Sequence, residues 1–161
     1  MSQRLEIFTK EVLDLLDEAF EEHHGIFLDK GASLFQTLEK VTAEEASLAA
    51  CNNSATIAAH VKHMTFYMNV LHAYMQNIEV GKVDWKEVWR STRKVSPEEW
   101  EVIRRELKES YHHALDTLED MDQWGENVIA GSLAILAHTA YHLGAVRQAL
   151  AVIQERGAAR K

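Results

Sequence analysis

The stretch Ala134-Ile-Leu-Ala-His-Thr-Ala-Tyr-His-Leu-Gly-Ala-Val-Arg-Gln-Ala-Leu150 decides how the rest of the chain is interpreted. It contains no proline and predicts one long helix. His138 and His142 are four residues apart, so their imidazoles lie one turn apart on the same face. Arg147 falls on the opposite side. The histidine face therefore points inward, and it also holds small and apolar residues: Ala134, Ile135, Ala145, Ala149 and Ile153.

Two histidines one turn apart form half of a metal site, because each can present a ring nitrogen to the same ion. The same spacing also occurs where two histidines are hydrogen-bonded in a protein core, and that is its more common use. The pair alone leaves both interpretations open.

Length and composition predict one globular domain over residues 1–161. The chain is long enough to bury a core, and 47% of its residues are hydrophobic. One proline and seven glycines leave long helices uninterrupted. The net charge of −8 disfavours a nucleic-acid partner, because phosphate binding depends on Lys and Arg.

The termini and the single cysteine predict a cytoplasmic protein. Cys51 is the only cysteine and fits a reducing compartment better than a disulfide framework. The N-terminal residues lack the apolar segment of a secretory signal, and no run of 18 apolar residues predicts a membrane span.

Apolar periodicity predicts four long helices. They cover about residues 3–22, 96–120 and 132–157, and a further one runs from Ser54 or Thr56 to about residue 79. A shorter segment over residues 32–38 is also helical in pattern. No strand alternation is present. The predicted fold is all-α, an antiparallel up-down-up-down four-helix bundle with an extra N-terminal helical segment.

Two capping boxes define helix starts in this scheme. Thr42 is followed three residues later by Glu45, and Ser96 by Glu99, with Pro97 at the first helical position. Gly25 and Gly81 are expected to end the first and second long helices.

A third histidine follows from this topology. In an up-down-up-down bundle the second and fourth helices run parallel, so residues equally far from their starts lie level. His60 and His63 fall roughly 6 to 10 Å along the second helix, at about 1.5 Å per residue, and His138 and His142 fall similarly along the fourth. Three imidazoles would leave positions on an ion open to water or substrate. Periodicity does not choose between His60, nearer the centre of the apolar stripe, and His63, at its edge beside Tyr67.

Two motifs give a resemblance to the DinB/YfiT-like superfamily of metal-binding four-helix bundles. Thr56-Ile-Ala-Ala-His-Val-Lys-His63 resembles its second helix, in which the ligand histidine follows a Ser or Thr by seven positions. His138-Thr-Ala-Tyr-His-Leu-Gly144 resembles the H-x-x-Y-H-x-G of its last helix. Trp100 matches a Trp-bearing start to the third helix. The resemblance covers about residues 30–155.

The resemblance implies a divalent metal ion, often nickel, zinc or iron, held by His63, His138 and His142, and commonly a homodimer. Family relatives include metal-dependent thiol transferases that use bacillithiol or mycothiol, and also isomerases and hydrolases. The expected function is therefore a metal-dependent transferase or hydrolase acting on a small molecule. The alternative is a non-enzymatic dimeric stress or interaction protein in which the metal is structural or incidental.

His60 is the candidate for a supporting role, either as a hydrogen-bond partner of a ligand or in proton transfer. The alternative for His60 is a core or rim histidine, and Tyr67 and Tyr141 either line a pocket or pack in the bundle. A di-iron site on Glu21-x-x-His24 and Glu109-x-x-His112 is rejected, because the other two long helices lack inward glutamates. Cys51 is expected to be incidental. The remaining histidines are expected at the surface or an interface: His23, His24, His72, His112 and His113.

Overall fold

The structure is a computed structural model that describes residues 2–159. Within this range the regular structure is helical and no strand forms, which confirms the predicted all-α class. Seven helices follow one another: α1 Gln3–Phe20, α2 Leu34–Leu38, α3 Ala43–Ala46, α4 Ile57–Met75, α5 Glu87–Ser91, α6 Pro97–Asp120 and α7 Glu126–Ala158.

The helix starts follow the polar caps that the sequence predicted. The Thr56 hydroxyl accepts a hydrogen bond from the backbone N–H of Ala59 and begins α4. Capping boxes form at Thr42 with Glu45 and at Ser96 with Glu99, as expected. Each cap satisfies N–H groups that have no partner within the helix.

Two predicted helix boundaries are wrong. α4 ends at Met75 rather than near residue 79, because Asn77 adopts a left-handed conformation with φ of 57°. α7 begins at Glu126 rather than near residue 132. Its first turns are needed for packing, because Val128 is buried and a Cβ on Gly131 would lie 2.3 Å from Cγ of Met75. Glycine therefore allows α7 to approach α4 closely there.

α4 and α7 run antiparallel. Near the end of α4, the Tyr74 hydroxyl donates to Oδ1 of Asn127 in the first turn of α7. Near the start of α4, Nδ1 of His60 lies 2.9 Å from Nδ1 of His142, which is near the middle of α7. Later residues of α4 therefore contact earlier residues of α7. The expectation that these two helices run parallel is wrong.

α4 and α6 run in the same direction. His72 late in α4 is hydrogen-bonded to Thr117 late in α6, at 2.7 Å. Lys62 early in α4 borders the same cavity as Ile103 and Glu106 early in α6. The up-down-up-down order is thus incorrect for this pair. Residues 76–96, which contain α5, are long enough to return the chain to the end at which α4 began.

One hydrophobic cluster joins all four long helices, including Leu16 of α1, Met64 of α4, Leu107 of α6 and Leu143 of α7. α4 packs against both α6 and α7, and α1 packs against α7. Burial of this apolar surface is the main stabilising contribution to the fold.

The chain leaving α1 is fixed by a buried carboxylate. Glu18 is fully buried and accepts hydrogen bonds from the backbone N–H groups of residues 24–27. Burial alone would raise the pKa of the Glu18 carboxyl, but these four donors lower it below its ordinary value. Gly25, at φ of 81°, lies in this loop, and α1 has already ended at Phe20.

Among the described residues, α7 is the one helix that is long and apolar enough to cross a membrane by length and composition. Of its most apolar stretch, 39% is buried inside the protein. A core helix passes the same test, and α7 packs against α1 and α4 as a core helix does. The absence of a membrane partner stays a prediction.

Candidate metal centre

Three histidines from two helices converge where α4 crosses the middle of α7. His63, His138 and His142 each offer one ring nitrogen, and these atoms all lie within 4.8 Å of one another. Three nitrogens bound to one tetrahedral zinc ion, at about 2.1 Å each, lie about 3.4 Å from one another. Side-chain adjustments that shorten the nitrogen–nitrogen distances by at most about 1.4 Å would therefore bring the three nitrogens within reach of one ion. The geometry of this cluster can hold a metal.

The packing of α4 on α7 determines which histidine becomes the third member. His63 lies 5.0 Å from both His138 and His142 between ring centroids, and the latter two are 4.4 Å apart. His60 lies one turn earlier on α4 and contacts only His142 of these three by hydrogen bond. The third member of the cluster is therefore His63, which follows Thr56 by seven positions, and not His60, which is nearer the centre of the apolar stripe.

Two ring nitrogens of the cluster are buried without a hydrogen-bond partner in the described part of the chain, His63 Nδ1 and His138 Nε2. Buried polar atoms in folded proteins are nearly always paired, so each unpaired one needs an explanation. A metal ion would satisfy atoms of this type, because the unprotonated imidazole nitrogen is the ligand. The residues present therefore fit a bound divalent ion.

His142 is connected to His60 through their Nδ1 atoms, 2.9 Å apart. One of the two nitrogens must carry a proton and the other must accept it. If His142 donates, its Nε2 is left unprotonated and available to a metal. Fixing the orientation and proton position of a ligand histidine in this way is the usual function of a hydrogen-bond partner behind it.

The cluster is electrostatically neutral at physiological pH. Burial, followed by the neighbouring His138, His60 and His63, lowers the pKa of His142 to about 3. Burial and then His63 lower the pKa of His138 to about 4. Burial also lowers the pKa of His63. Burial and then the neighbouring His63 lower the pKa of His60. All four imidazoles are thus in the uncharged form that binds metals.

Aromatic side chains enclose the cluster. The Tyr67 ring stacks on His138 with centroids 3.6 Å apart and an angle of 14°. Trp89 of α5 lies against His63 at 4.4 Å and His60 at 5.3 Å. Tyr67 therefore packs against the site. Tyr141 does not pack in the core, because it is 73% exposed, although its ring lies 4.9 Å from His142.

Trp89 could not be assigned from the sequence. It belongs to the connection between α4 and α6. His63 lies so much earlier in the sequence that no helical spacing relates the two residues. Trp85 of the same connection packs on Phe66 and Tyr67. The two tryptophans therefore place this connection over the histidines.

The remaining candidates do not join the cluster. His72 was expected at the surface or an interface, but it is buried between α4 and α6 and hydrogen-bonded to Thr117. The exposed His112 pairs with Glu21, and Cys51 is exposed. Over residues 2–159, no second group of three or more histidine, cysteine or acidic side chains is arranged to hold a metal.

Comparison with protein-family models, with curated proteins and with solved structures finds no match to this chain.

Proposed function

We propose that this chain binds one divalent metal ion, zinc, nickel or iron, through His63, His138 and His142. The observation that carries the proposal is the convergence of three ring nitrogens within 4.8 Å of one another. Two of these three histidines also have a buried ring nitrogen without a hydrogen-bond partner. We further propose that the chain is a DinB/YfiT-like protein. In this proposal α1, α4, α6 and α7 form a four-helix bundle, and the short helices lie in its connections.

The function that these residues support best is that of a metal-dependent transferase or hydrolase acting on a small molecule, with a low-molecular-weight thiol as one candidate substrate. A divalent ion with an open position lowers the pKa of a bound water or thiol, which supplies a nucleophile at neutral pH. Three protein ligands, rather than four, leave such a position. His60, 2.9 Å from His142, orients that ligand, and Trp89 and Tyr67 limit access of water to the histidines.

The experiment that tests the enzymatic proposal measures thiol transfer. Protein purified without a histidine tag is loaded in turn with Zn²⁺, Ni²⁺ and Fe²⁺, then mixed with bacillithiol and a small electrophile such as 1-chloro-2,4-dinitrobenzene. We expect turnover with at least one metal and its loss in a folded His142→Ala protein. Equal rates with and without the metal-loaded protein, for thiol addition and for hydrolysis of small esters and amides, would contradict the enzymatic proposal.

The alternative function is a non-enzymatic dimeric stress or interaction protein with a structural or incidental metal. The enclosure of the site favours it, because His63 and His142 are 8% and 4% exposed and Trp89 lies over them. Replacement of the native metal by Co²⁺ separates the two functions. A visible spectrum that shifts when thiol is added supports the enzyme, and one that does not respond to thiol, azide or pH supports the closed structural site.

The partner and compartment expectations are part of the same proposal. They are a cytoplasmic location, a homodimer, a small-molecule substrate, and neither nucleic acid nor membrane as a partner.

The pKa values of the cluster predict acid sensitivity once the metal has been removed by a chelator. The folded-state pKa values of about 3 for His142 and about 4 for His138 lie below the ordinary 6.5. Between these values the unfolded chain binds more protons, so stability is fully present above pH 6.5 and falls as the pH decreases towards 4. We expect a loss of up to about 4 kcal/mol between pH 7.5 and pH 5, about 2 kcal/mol for each histidine, measured by urea unfolding.

The matched control for this pH dependence is the His138→Asn/His142→Gln protein, which lacks both low-pKa groups. It should lose clearly less stability over the same pH range. An identical pH dependence in the two proteins would show that other groups cause the effect.

A further inference from the structure

A cavity of about 580 Å³ lies on the other side of Trp89, between the loop that precedes α4 and the end of α5. Its volume is in the range of small-molecule binding sites. Trp89 both lines this cavity and lies against the ring of His63, whereas no histidine of the cluster lines it. The cavity therefore adjoins the candidate metal centre through Trp89.

The charges around this cavity are positive in a protein whose net charge is −8. Arg93 and Lys94 line it, and no aspartate or glutamate does. Neither cation lies within 4.0 Å of a carboxylate of residues 2–159. Two cations that are not neutralised locally, at the edge of a concave surface, attract an anion.

The start of α4 adds to the positive character. Thr56, the residue that caps this 19-residue helix, lines the cavity, as do Ser54 and Asn53. The N-terminus of a helix carries a partial positive charge, which attracts anions. The side-chain amide of Asn53 offers a further donor, whereas the Ser54 hydroxyl already donates to the carbonyl of Cys51.

The hydroxyl of Thr92 indicates a missing ligand independently of these charges. Thr92 lines the same cavity and is 6% exposed, and its Oγ1 is buried without a hydrogen-bond partner in the described part of the chain. A buried hydroxyl without a hydrogen-bond partner is unfavourable. Thr92 and Lys94 also border the neighbouring cavity, but that one contains the carboxylates of Glu98, Glu99 and Glu106. Of the two, only the cavity beside Trp89 suits an anion.

We propose that this cavity binds the carboxylate or phosphate group of a small-molecule ligand, through Arg93, Lys94, the Thr92 hydroxyl and the start of α4. A ligand anchored there extends past Trp89 towards His63. Its identification as the substrate of the metal centre rests on the proposed function, whereas anion binding itself does not. The substrate class would then be a small organic acid or phosphate ester that reacts at the end opposite its anionic group.

The test measures binding of succinate and of inorganic phosphate by isothermal titration calorimetry, with succinamide as the uncharged match. Chelator-treated and Zn²⁺-loaded proteins are both titrated. We expect a Kd of about 1 mM for at least one anion and no measurable binding of succinamide. Succinate binding identifies a carboxylate, and phosphate binding identifies a phosphate ester. Failure of both anions to bind at about 50 mM, in both forms of the protein, would overturn the proposal.

The variant Arg93→Gln/Lys94→Gln should weaken anion binding at least about tenfold, because hydrogen bonds to charged groups contribute about 1.5–3 kcal/mol. The control Lys30→Gln/Lys82→Gln makes the same change of net charge at exposed positions outside the cavity, and it should bind as the parent protein does. Equal weakening in both variants would assign the effect to overall charge and contradict the cavity. Zn²⁺ stoichiometry should be unchanged in Arg93→Gln/Lys94→Gln, so failure of the metal proposal is seen separately.

Thr92→Val provides a second, nearly isosteric test that leaves every charge in place. It removes the unpaired hydroxyl, so thermal stability should stay equal or rise while anion affinity falls about threefold to tenfold. A merely structural threonine would show no loss of anion affinity, and that result would remove Thr92 from the site.

Discussion

His142→Ala is expected to lower affinity for the divalent metal at least about a hundredfold. His142 is the most buried of the three histidines and contacts both of the others. Loss of a hydrogen-bond partner behind a ligand typically reduces metal affinity 10- to 100-fold, and loss of the ligand itself should cost more. The measurement is a competition titration of Zn²⁺ against a chromophoric chelator.

Truncation of a buried imidazole also leaves a void, so the loss of affinity must be separated from unfolding. His142→Gln keeps most of the side-chain volume and should show the same loss while retaining the helical circular dichroism of the parent. His23→Ala removes an exposed histidine outside the cluster and should leave affinity unchanged. Parent-like affinity in the folded His142→Gln protein would exclude His142 as a ligand.

His60→Ala is expected to reduce metal affinity 10- to 100-fold without changing the number of ions bound. The reason is the contact between the Nδ1 atoms of His60 and His142, which sets the proton position and orientation of the ligand ring. His60 is therefore a positioning residue for the metal centre. Affinity and stoichiometry are obtained from the same competition titration.

His72→Ala is the matched control, because His72 is another histidine of α4 that is hydrogen-bonded to a neighbouring helix. It should lower stability without altering metal affinity. If His60→Ala binds the metal as tightly as His72→Ala does, the hydrogen bond to His142 has no function at the metal centre. Loss of one whole ion in His60→Ala would instead make His60 a ligand.

The pairing of α4 with α7 was predicted from the sequence for an incorrect reason. An up-down-up-down order would make the two helices parallel, with their histidines at equal heights, but the helices are antiparallel. The histidines still meet, because α7 is 33 residues long and starts beside the end of α4. His138 and His142 then fall near its middle, opposite the first half of α4. Periodicity identifies the buried face of a helix, but it does not determine helix direction.

Local signals predicted the helix starts well, since the caps at Thr42, Thr56 and Ser96 act within a few residues. Helix ends were less well predicted. The left-handed Asn77 had no glycine to mark it, and the start of α7 depends on packing against Met75 rather than on a strong capping residue.

The enclosure of the histidines lay beyond what the sequence could indicate. Trp89 reaches His63 only because α4 and α6 run in the same direction, which requires residues 76–96 to pass back along the protein. The buried, hydrogen-bonded state of His72 likewise depends on Thr117 of α6. Both contacts follow from the relative direction of two helices, which no local pattern specifies.

The most direct measurement of the central claim is elemental analysis, combined with X-ray absorption, of protein produced without a histidine tag and loaded with Zn²⁺. We predict about one ion per chain, coordinated by three imidazole nitrogens at about 2.0–2.1 Å, with the histidine scattering reduced in His142→Gln. Less than about 0.2 ion per chain after loading, or an absorption spectrum without imidazole ligands, would contradict a metal centre at His63, His138 and His142.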